Sequence, residues 1–274
     1  MSAIIYLFVI LCVVNIPGIR AQNRDSLQAD GSNLPFRAGE DLTFKIRYGF
    51  IRAGTAHMRI LGRETYKGIP AIHIQTVAAS ARAFNWIYKV HDVVNVMVRA
   101  TDLLPLYFEK KLREGTYKAD LFVRYDRSDS LALVEFIRYK KDMSVRKHEK
   151  YPIKIPANVF DVLSAFYYIR TQPLVVGKSF YITSHERKKI YDLEIKVYKK
   201  EIISTDAGKF RCLAIEPLLK GEGIFKQKGR LKIWLTDDRY KIPVQMTSAV
   251  AVGHITTELT KMAGVPEYIP ARIK

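Results

Sequence analysis

From residue 42 onward the sequence alternates apolar and polar side chains, which is the signature of β-strands. In "LTFKIRYG" (42–49), Leu42, Phe44 and Ile46 fall on one face, and Lys45 and Arg47 fall on the other. Short turns rich in Gly, Asp, Ser and Pro separate one alternating stretch from the next, and a loop is predicted at 62–70, which contains Gly62, Gly68 and Pro70. Strands are predicted at 42–49, 54–60, 71–78, 88–98, 105–113, 116–125, 130–139, 179–186, 190–200, 210–216, 230–236, 242–249 and 253–260.

Consecutive strands joined by tight turns predict an antiparallel meander. About a dozen strands are too many for an open flat sheet, so the sheet must curl. We therefore expect an all-β, mainly antiparallel fold, built as a large curved sheet or a barrel-like meander.

A single helix interrupts this pattern in "NVFDVLSAFYYIRTQP" (158–173). We predict a helix over 159–170 with Asn158 as its N-cap, Asp161 three positions on in a variant of the capping box, and Pro173 as its stop. The segment is apolar on nearly every side and too short to be stable alone in water, so it must be packed against the concave face of the sheet. Two interpretations remain open, namely a core helix and a lid over an apolar cavity.

The N-terminus carries an apolar run of 13 residues, "IIYLFVILCVVNI" (4–16). A membrane-spanning helix needs about 20 residues, so this run fits the core of a signal peptide ending at Ala21. The alternative is an uncleaved N-terminal anchor. We predict a signal peptide at 1–21, a flexible leader at 22–35, one β-rich domain at 36–262 and a C-terminal tail at 263–274. A split into two domains at the prolines around 152–173 is the alternative.

Export implies a periplasmic or outer-membrane-associated protein if the source is a Gram-negative bacterium. After cleavage one cysteine remains, Cys212 in "KFRCLAIEP", which cannot form an internal disulfide. It alternates with Phe210 and Ala214, which predicts a buried small hydrophobe and not a nucleophile.

The formal charge of +18 is large and suggests an anionic partner. Basic residues concentrate in two segments, 138–154 and 186–200. For an exported protein the available polyanions are lipid headgroups, lipopolysaccharide and acidic glycans, so no nucleic acid partner is expected, and contact with a membrane surface is left open. The alternative is a solvated strand face with edge-protecting lysines. The residues predicted to meet the anion are Lys140, Lys141, Arg146, Lys147, Lys188 and Lys189.

No motif names a reaction, because the chain contains neither G-x-x-x-x-G-K-[ST] nor G-x-S-x-G. The glycine-rich "GEGIFKQKG" (221–229) precedes a strand and not a helix, so it is read as a loop. His57 and His73 could face each other across a hairpin, although solvent-facing histidines are the simpler interpretation. We predict no catalytic residue, no metal site and no cofactor.

Several blocks of the sequence resemble one family of the bacterial envelope, catalogued as domain of unknown function 3108. The blocks are "FRAGEDLTFKIRYGFIRAGTAHM" (36–58), "DVLSAFYYIR" (161–170), "AGKFRCLAIEP" (207–217), "LKIWLTDDRYKIPVQM" (231–246) and "VGHITTEL" (252–259). The resemblance covers about 36–260. It implies a secreted, strand-rich protein and no particular activity.

Taken together, these features favour an exported, non-catalytic envelope protein that binds an amphiphilic or anionic ligand in or beside the curved sheet. The apolar part of the ligand is expected between the sheet and the helix, against Phe166, Tyr167, Tyr168, Trp86 and Trp234. One alternative is an envelope enzyme acting on polysaccharide, with Asp161, Asp237 and Asp238 as candidate acids. The other is a scaffold or assembly factor that uses exposed strand edges.

Overall fold

The computed structural model describes residues 34–219, 231–250 and 253–274. The predicted all-β fold is confirmed, as one mostly antiparallel sheet of sixteen strands with a single long helix. The strands are β1 Asp41–Tyr48, β2 Ile51–Tyr66, β3 Ile69–Ser80, β4 His91–Arg99, β5 Pro105–Glu114, β6 Tyr117–Asp126, β7 Leu131–Tyr139, β8 Val145–Lys154, β9 Val159–Phe160, β10 Ser179–Glu186, β11 Lys189–Thr205, β12 Gly208–Leu219, β13 Leu231–Thr236, β14 Pro243–Ala249, β15 His254–Ala263 and β16 Arg272–Ile273.

The sheet is two meanders joined at β1 and β15. Its order runs β8-β7-β6-β5-β4-β3-β2-β1-β15-β14-β13-β12-β11-β10-β9, with β16 paired to β12. One face of each strand supplies the core, as with Leu42, Phe44 and Ile46 of β1, which are all buried. The opposite face carries partly exposed residues such as Thr43 and Lys45, so the predicted alternation fixes which side of the sheet faces inward.

Helix α1 is the short segment Asn85–Tyr88, and helix α2 is Val162–Thr171. The predicted helix bounds are therefore wrong at the N-terminus. Val159–Phe160 forms β9, which pairs in parallel with β10, and the N-cap is Asp161 and not Asn158. The Asp161 carboxylate accepts hydrogen bonds from Leu163 N and Ser164 N, while the Ser164 hydroxyl accepts one from Asp161 N. This complete capping box starts the helix three residues later.

A buried ion pair anchors α2 to the rest of the molecule. The guanidinium of Arg170 donates to both carboxylate oxygens of Glu40, at 2.6 and 2.9 Å, and both residues are buried. Arg170 also donates to the carbonyl oxygen of Tyr240 and lies 5.1 Å from the ring of Phe36 and 5.2 Å from that of Tyr167. The helix, the chain before β1 and the turn between β13 and β14 are thereby held at one point.

Two stretches differ from the prediction. The expected loop at 62–70 is largely strand, because β2 continues to Tyr66 after a register shift between Ile60 and Gly62 that breaks the alternation. Strand β8, Val145–Lys154, was not predicted, because residues 145–148 of this outermost strand are exposed on both faces and only Tyr151 and Ile153 pack against the core, so the apolar periodicity is too short to recognise.

The chain termini differ in how far they are described. The predicted signal peptide at 1–21 and the leader up to residue 33 lie outside the described residues. Within the predicted C-terminal tail, Ile269 and Ala271 are buried and Arg272–Ile273 pairs with β12. In the described part of the chain, no helix combines the length and the apolar character needed to cross a bilayer.

Candidate functional site

The space between α2 and the sheet is filled by side chains. Tyr167 is fully buried, with its ring 5.0 Å from that of Phe36, and Tyr168 lies 4.6 Å from Phe160. Phe166 is partly buried against the same core. Two small cavities, of about 20 and 10 Å³, are each large enough for about one water, and neither is lined by these three helix residues. The packing of these three residues therefore fits a core helix.

The two tryptophans lie in different environments, both away from α2. Trp234 packs partly against the core from β13 and donates its indole N–H to the carboxylate of Glu201 at 2.8 Å. Trp86 lies in α1, between β3 and β4, and is 83% exposed. The structure thus does not bring the five residues of the predicted apolar site together.

The six predicted anion-binding residues fall into two groups. Lys140, Lys141 and Arg146 are exposed around the turn between β7 and β8. Lys147 and Lys188 instead meet on one carboxylate, that of Glu149, and Lys189 follows directly at the start of β11. Alternation along β8 explains the separation, because Arg146 and Lys147 point to opposite faces of the strand.

Three cations surround Glu149, and we call Lys147, Glu149, Arg187 and Lys188 the seam cluster. Lys188 Nζ lies 2.9 Å from Glu149 Oε1, while Lys147 Nζ and Arg187 Nη2 lie 3.2 and 3.3 Å from Oε2. Hydrogen bonds from Lys188 and Lys147 hold the pKa of Glu149 below its usual value. The cluster keeps a net positive charge, because one carboxylate faces three cations.

The seam cluster bridges the two outer parts of the sheet. Arg187 and Lys188 form the two-residue loop between β10 and β11, whereas Lys147 and Glu149 belong to β8. The guanidinium of Arg187 lies 3.8 Å from the ring of Phe136 on β7, and Lys188 Nζ lies 4.9 Å from the ring of Tyr151 on β8. Side chains thus link two regions of the sheet that share no backbone ladder.

The backbone of the loop directs Arg187 toward the cluster. Its φ of +52° lies in the left-handed region, which costs a residue other than glycine about 1 kcal/mol or more. Glycine would suit this position better on conformational grounds. The presence of arginine is consistent with a role for its side chain at the seam cluster.

A small cavity of about 10 Å³ adjoins the seam cluster and is lined partly by Arg187. Its apolar lining comes from strands β5 and β6 and the start of α2, through Phe108, Leu121, Val123 and Val162. Its polar lining includes Lys110 and Glu186, which form an ion pair at 2.7 Å. Positive charge and apolar surface therefore lie side by side here.

His185 completes the polar wall of this cavity. Its Nε2 lies 2.7 Å from the carbonyl oxygen of Arg187, so Nε2 carries the proton, and Nδ1 accepts from the hydroxyl of Tyr125 at 3.2 Å. Burial lowers the pKa of His185 below its ordinary value, which favours the neutral ring.

The candidate catalytic acids all serve structural roles. Asp161 caps α2, and Asp237 forms an ion pair with Lys200 at 2.8 Å. Asp238 accepts hydrogen bonds from Tyr240 N, Lys241 N and the Thr236 hydroxyl, which stabilises the turn after β13. These contacts give no support to an acid–base pair for polysaccharide cleavage.

The histidines named for a metal site each have a carboxylate partner of their own. His57 Nδ1 lies 3.3 Å from Asp41, and His73 Nδ1 lies 2.9 Å from Glu64. Within 34–219, 231–250 and 253–274, no group of three metal-ligating side chains occurs. Cys212 is buried, and burial raises the pKa of its thiol to about 12, so the thiolate needed for nucleophilic chemistry is disfavoured.

Sequence reasoning missed Arg187 and Glu149 as members of one cluster. Arg187 lies in a basic segment that was singled out, but its place in a two-residue loop depends on the exact ends of β10 and β11. Glu149 could be assigned only once β8 was known to be a strand.

One of the solved structures similar to this chain supports the β-rich fold. A crystal structure of a β-barrel-like protein of domain of unknown function DUF1849, from Brucella abortus, is similar with a TM-score of 0.53 and 10% identity, covering 84% of this chain and 99% of that one. A candidate exported protein with a YmcC-like fold, from Bacteroides fragilis, has a TM-score of 0.37 and 10% identity, with coverages of 84% and 98%. A candidate lipoprotein from Parabacteroides distasonis has a TM-score of 0.38 and 12% identity, with coverages of 84% and 99%.

A comparison with curated proteins finds no match. The model of one family matches residues 43–260, which is most of the chain and agrees with the resemblance seen in the sequence blocks. The chain belongs to that family, which is described as protein of unknown function DUF3108.

Proposed function

We propose that the chain is an exported cell-envelope protein that binds an anionic amphiphile beside its curved sheet, without catalysing a reaction. The seam cluster would receive the anionic headgroup, and the neighbouring apolar side chains would receive the start of the hydrocarbon chain. The observation that carries this proposal is the convergence of Lys147, Arg187 and Lys188 on the single carboxylate of Glu149.

The net positive charge of the seam cluster favours the binding of an anion there. A phosphate or carboxylate could take the place of Glu149 as a partner of one or two of the three cations, with charge-assisted hydrogen bonds. Lys147 and Lys188 are more than half exposed, so their ammonium groups are accessible from solvent. Binding would cost little rearrangement, because lysine side chains on a surface turn readily.

Packing favours a site beside the sheet over one inside it. The cavity at the seam has room for about one water, so an alkyl chain would lie along the surface beside the seam cluster and not inside the cavity. Export rests on the apolar run at 4–16, which has the length of a signal peptide core.

The test is equilibrium binding of three soluble probes to the purified protein: dodecyl phosphate, dodecylphosphocholine and inorganic phosphate. We expect dodecyl phosphate to bind most tightly, because it offers both the anion and the chain. Replacing Lys147 and Lys188 together by alanine should weaken its binding at least tenfold, since a hydrogen bond to a charged group is worth about 1.5–3 kcal/mol. Lys178→Ala is the matched control, because Lys178 is exposed in the loop before β10.

Equal binding of the phosphate and phosphocholine probes would contradict the proposal, as would wild-type affinity in the double variant. Binding of inorganic phosphate alone, without any gain from the alkyl chain, would reduce the site to a simple anion site.

One observation favours the scaffold alternative. Strand β8 has ten residues and lies at an end of the sheet, paired only with β7, so its other side offers backbone groups to a second protein. Its lysines and Pro152 act against such pairing. Co-purification of a stoichiometric protein partner that is lost in a Val145→Pro variant would support this alternative instead.

A further inference from the structure

Large apolar side chains are exposed on three of the connections between strands of the N-terminal meander. Phe50 is fully exposed at the tip of the turn between β1 and β2, and the adjacent Ile51 is also exposed. Trp86 is exposed in the loop between β3 and β4. Met143 and Val145 are exposed at the turn between β7 and β8. Single exposed apolar side chains are common on protein surfaces, so it is the grouping of these five on neighbouring turns that points to an interaction surface.

These loops lie at the same end of the strands, because turns of an antiparallel meander alternate between its two ends. Hydrogen bonds join them into a continuous edge. Ala81 N donates to Ala53 O at 2.8 Å, and Gly115 N donates to Lys89 O at 2.7 Å. Lys118 Nζ donates to Lys141 O at 2.6 Å. We call this edge, formed by residues 49–54, 81–91, 115–117 and 140–146, the Trp86 end.

The Trp86 end is strongly basic. Its residues include six Lys and Arg against one acid, Asp142. All six cations are exposed, and none forms an ion pair with another described residue. They are Arg52, Arg82, Lys89, Lys140, Lys141 and Arg146.

The opposite end of the same strands has a different character. Its turns, at 66–69, 100–104 and 126–130, contain two cations and three acids. Asp102 there accepts from Arg99 and from Leu104 N, and Asp126 accepts from the Ser128 hydroxyl. The excess of positive charge and exposed aromatic surface is therefore confined to one end of the N-terminal meander.

We propose that the Trp86 end docks on the surface of an anionic lipid bilayer. Trp and other amphipathic aromatic rings favour the headgroup region, where Phe50 and Trp86 would insert. The surrounding cations would lie against anionic headgroups, to which each basic residue near the surface adds attraction. The exposed rings stand at loop tips and line no groove, which suits a soft lipid surface better than a shaped protein partner.

This docking surface is separate from the seam cluster and does not rest on the proposed ligand binding. No residue of the seam cluster belongs to the Trp86 end, so each proposal can fail while the other stands. Docking would hold the protein at a membrane from which an amphiphile is taken or to which it is returned.

The test uses the fluorescence of Trp86 in a Trp234→Phe protein, since the chain has two tryptophans. Vesicles of phosphatidylcholine with 30 mol% phosphatidylglycerol should shift the emission to the blue, whereas vesicles of phosphatidylcholine alone should not. In sedimentation with the anionic vesicles, Phe50→Ala and the pair Lys140→Glu and Lys141→Glu should each weaken binding at least tenfold. Tyr268→Ala is the control, because Tyr268 is a 75% exposed aromatic near the C-terminus.

An unchanged emission spectrum with anionic vesicles would overturn the proposal, as would a blue shift that persists in Phe50→Ala with undiminished sedimentation. Binding to soluble heparin with equal affinity and no blue shift would also overturn it, because the site would then recognise polyanions and not a lipid surface. Loss of dodecyl phosphate binding in the seam variants, with vesicle binding retained, would support both proposals separately.

Discussion

Charged side chains have opposite surroundings at the anchor of α2 and at the Trp86 end. Arg170 and Glu40 are buried and pair with each other through two hydrogen bonds. The six cations of the Trp86 end are exposed and form no ion pair within the described chain. Removing one partner of a buried ion pair strongly lowers the free energy of unfolding, whereas exposed charges contribute little to it. The first group therefore holds the fold together, and the second is available for a partner.

The strongest test of this comparison is Arg170→Met. It leaves the carboxylate of Glu40 buried without its cation, so we expect a loss of about 3–5 kcal/mol in the free energy of unfolding, measured by urea denaturation. The double variant Arg170→Met with Glu40→Leu should recover part of that loss, because it leaves no unpaired charge. A single variant that loses less than about 1 kcal/mol would remove the contrast between the two regions.

The second prediction is a gain in stability from Glu114→Gln, which tests a buried carboxyl group that lies beside Asp92. Glu114 is 1% exposed, and neither of its carboxyl oxygens has a hydrogen-bond donor among the described residues. Burial and the neighbouring Asp92 raise the pKa of Glu114 to about 9. The folded protein therefore keeps a proton that the unfolded chain releases above pH ~4.5, and Glu114 makes stability fall as pH rises from there toward 9.

Glutamine has nearly the same shape as glutamate but does not titrate, so the variant avoids this loss of stability at high pH. At pH 8 we expect a gain of about 1–3 kcal/mol in the free energy of unfolding, shrinking toward zero at pH 5. Urea denaturation at the two pH values measures it, and an equal effect at both would show that proton uptake is not the cause.

The third prediction concerns His185, whose pKa is lowered by burial. The unfolded histidine takes up a proton below pH ~6.5 while the buried ring resists, so its contribution to stability is present above that pH and is lost as pH falls. His185→Gln should flatten the decline in the free energy of unfolding between pH 7 and 5, measured by urea denaturation at both pH values, because glutamine takes up no proton in the unfolded chain. An unchanged slope in the variant would assign the decline to other groups.

The smallest effect is expected at the Trp86 end. Lys140→Ala together with Lys141→Ala should change the free energy of unfolding by no more than about 0.5 kcal/mol, as is usual for exposed surface positions. Urea denaturation of this double variant measures the change in the free energy of unfolding. A loss of 2 kcal/mol or more would mean that these cations stabilise the fold, which would contradict the contrast drawn with the buried Arg170–Glu40 pair.

Local sequence patterns predicted the fold class because alternation in strands such as β1 and β5 reflects one buried face. They failed for β8, where residues 145–148 are exposed on both faces and only Tyr151 and Ile153 give a short apolar alternation. The Arg170–Glu40 pair joins residues 130 positions apart, and no local feature links them. The sequence could have predicted that Phe50 and Trp86 lie near each other, because alternate turns of a meander lie at the same end of its strands. The seam cluster could not have been predicted from the sequence, because it depends on how two distant parts of the sheet approach each other.

Strand β8 pairs with β7 on one side, and side chains of the seam cluster link it to the loop between β10 and β11 on the other. Parting β8 from that loop breaks these ion pairs and ring contacts, but no backbone ladder joins the two. This contact can therefore open locally at a free-energy cost below that of global unfolding, as weakly connected units of a fold commonly do.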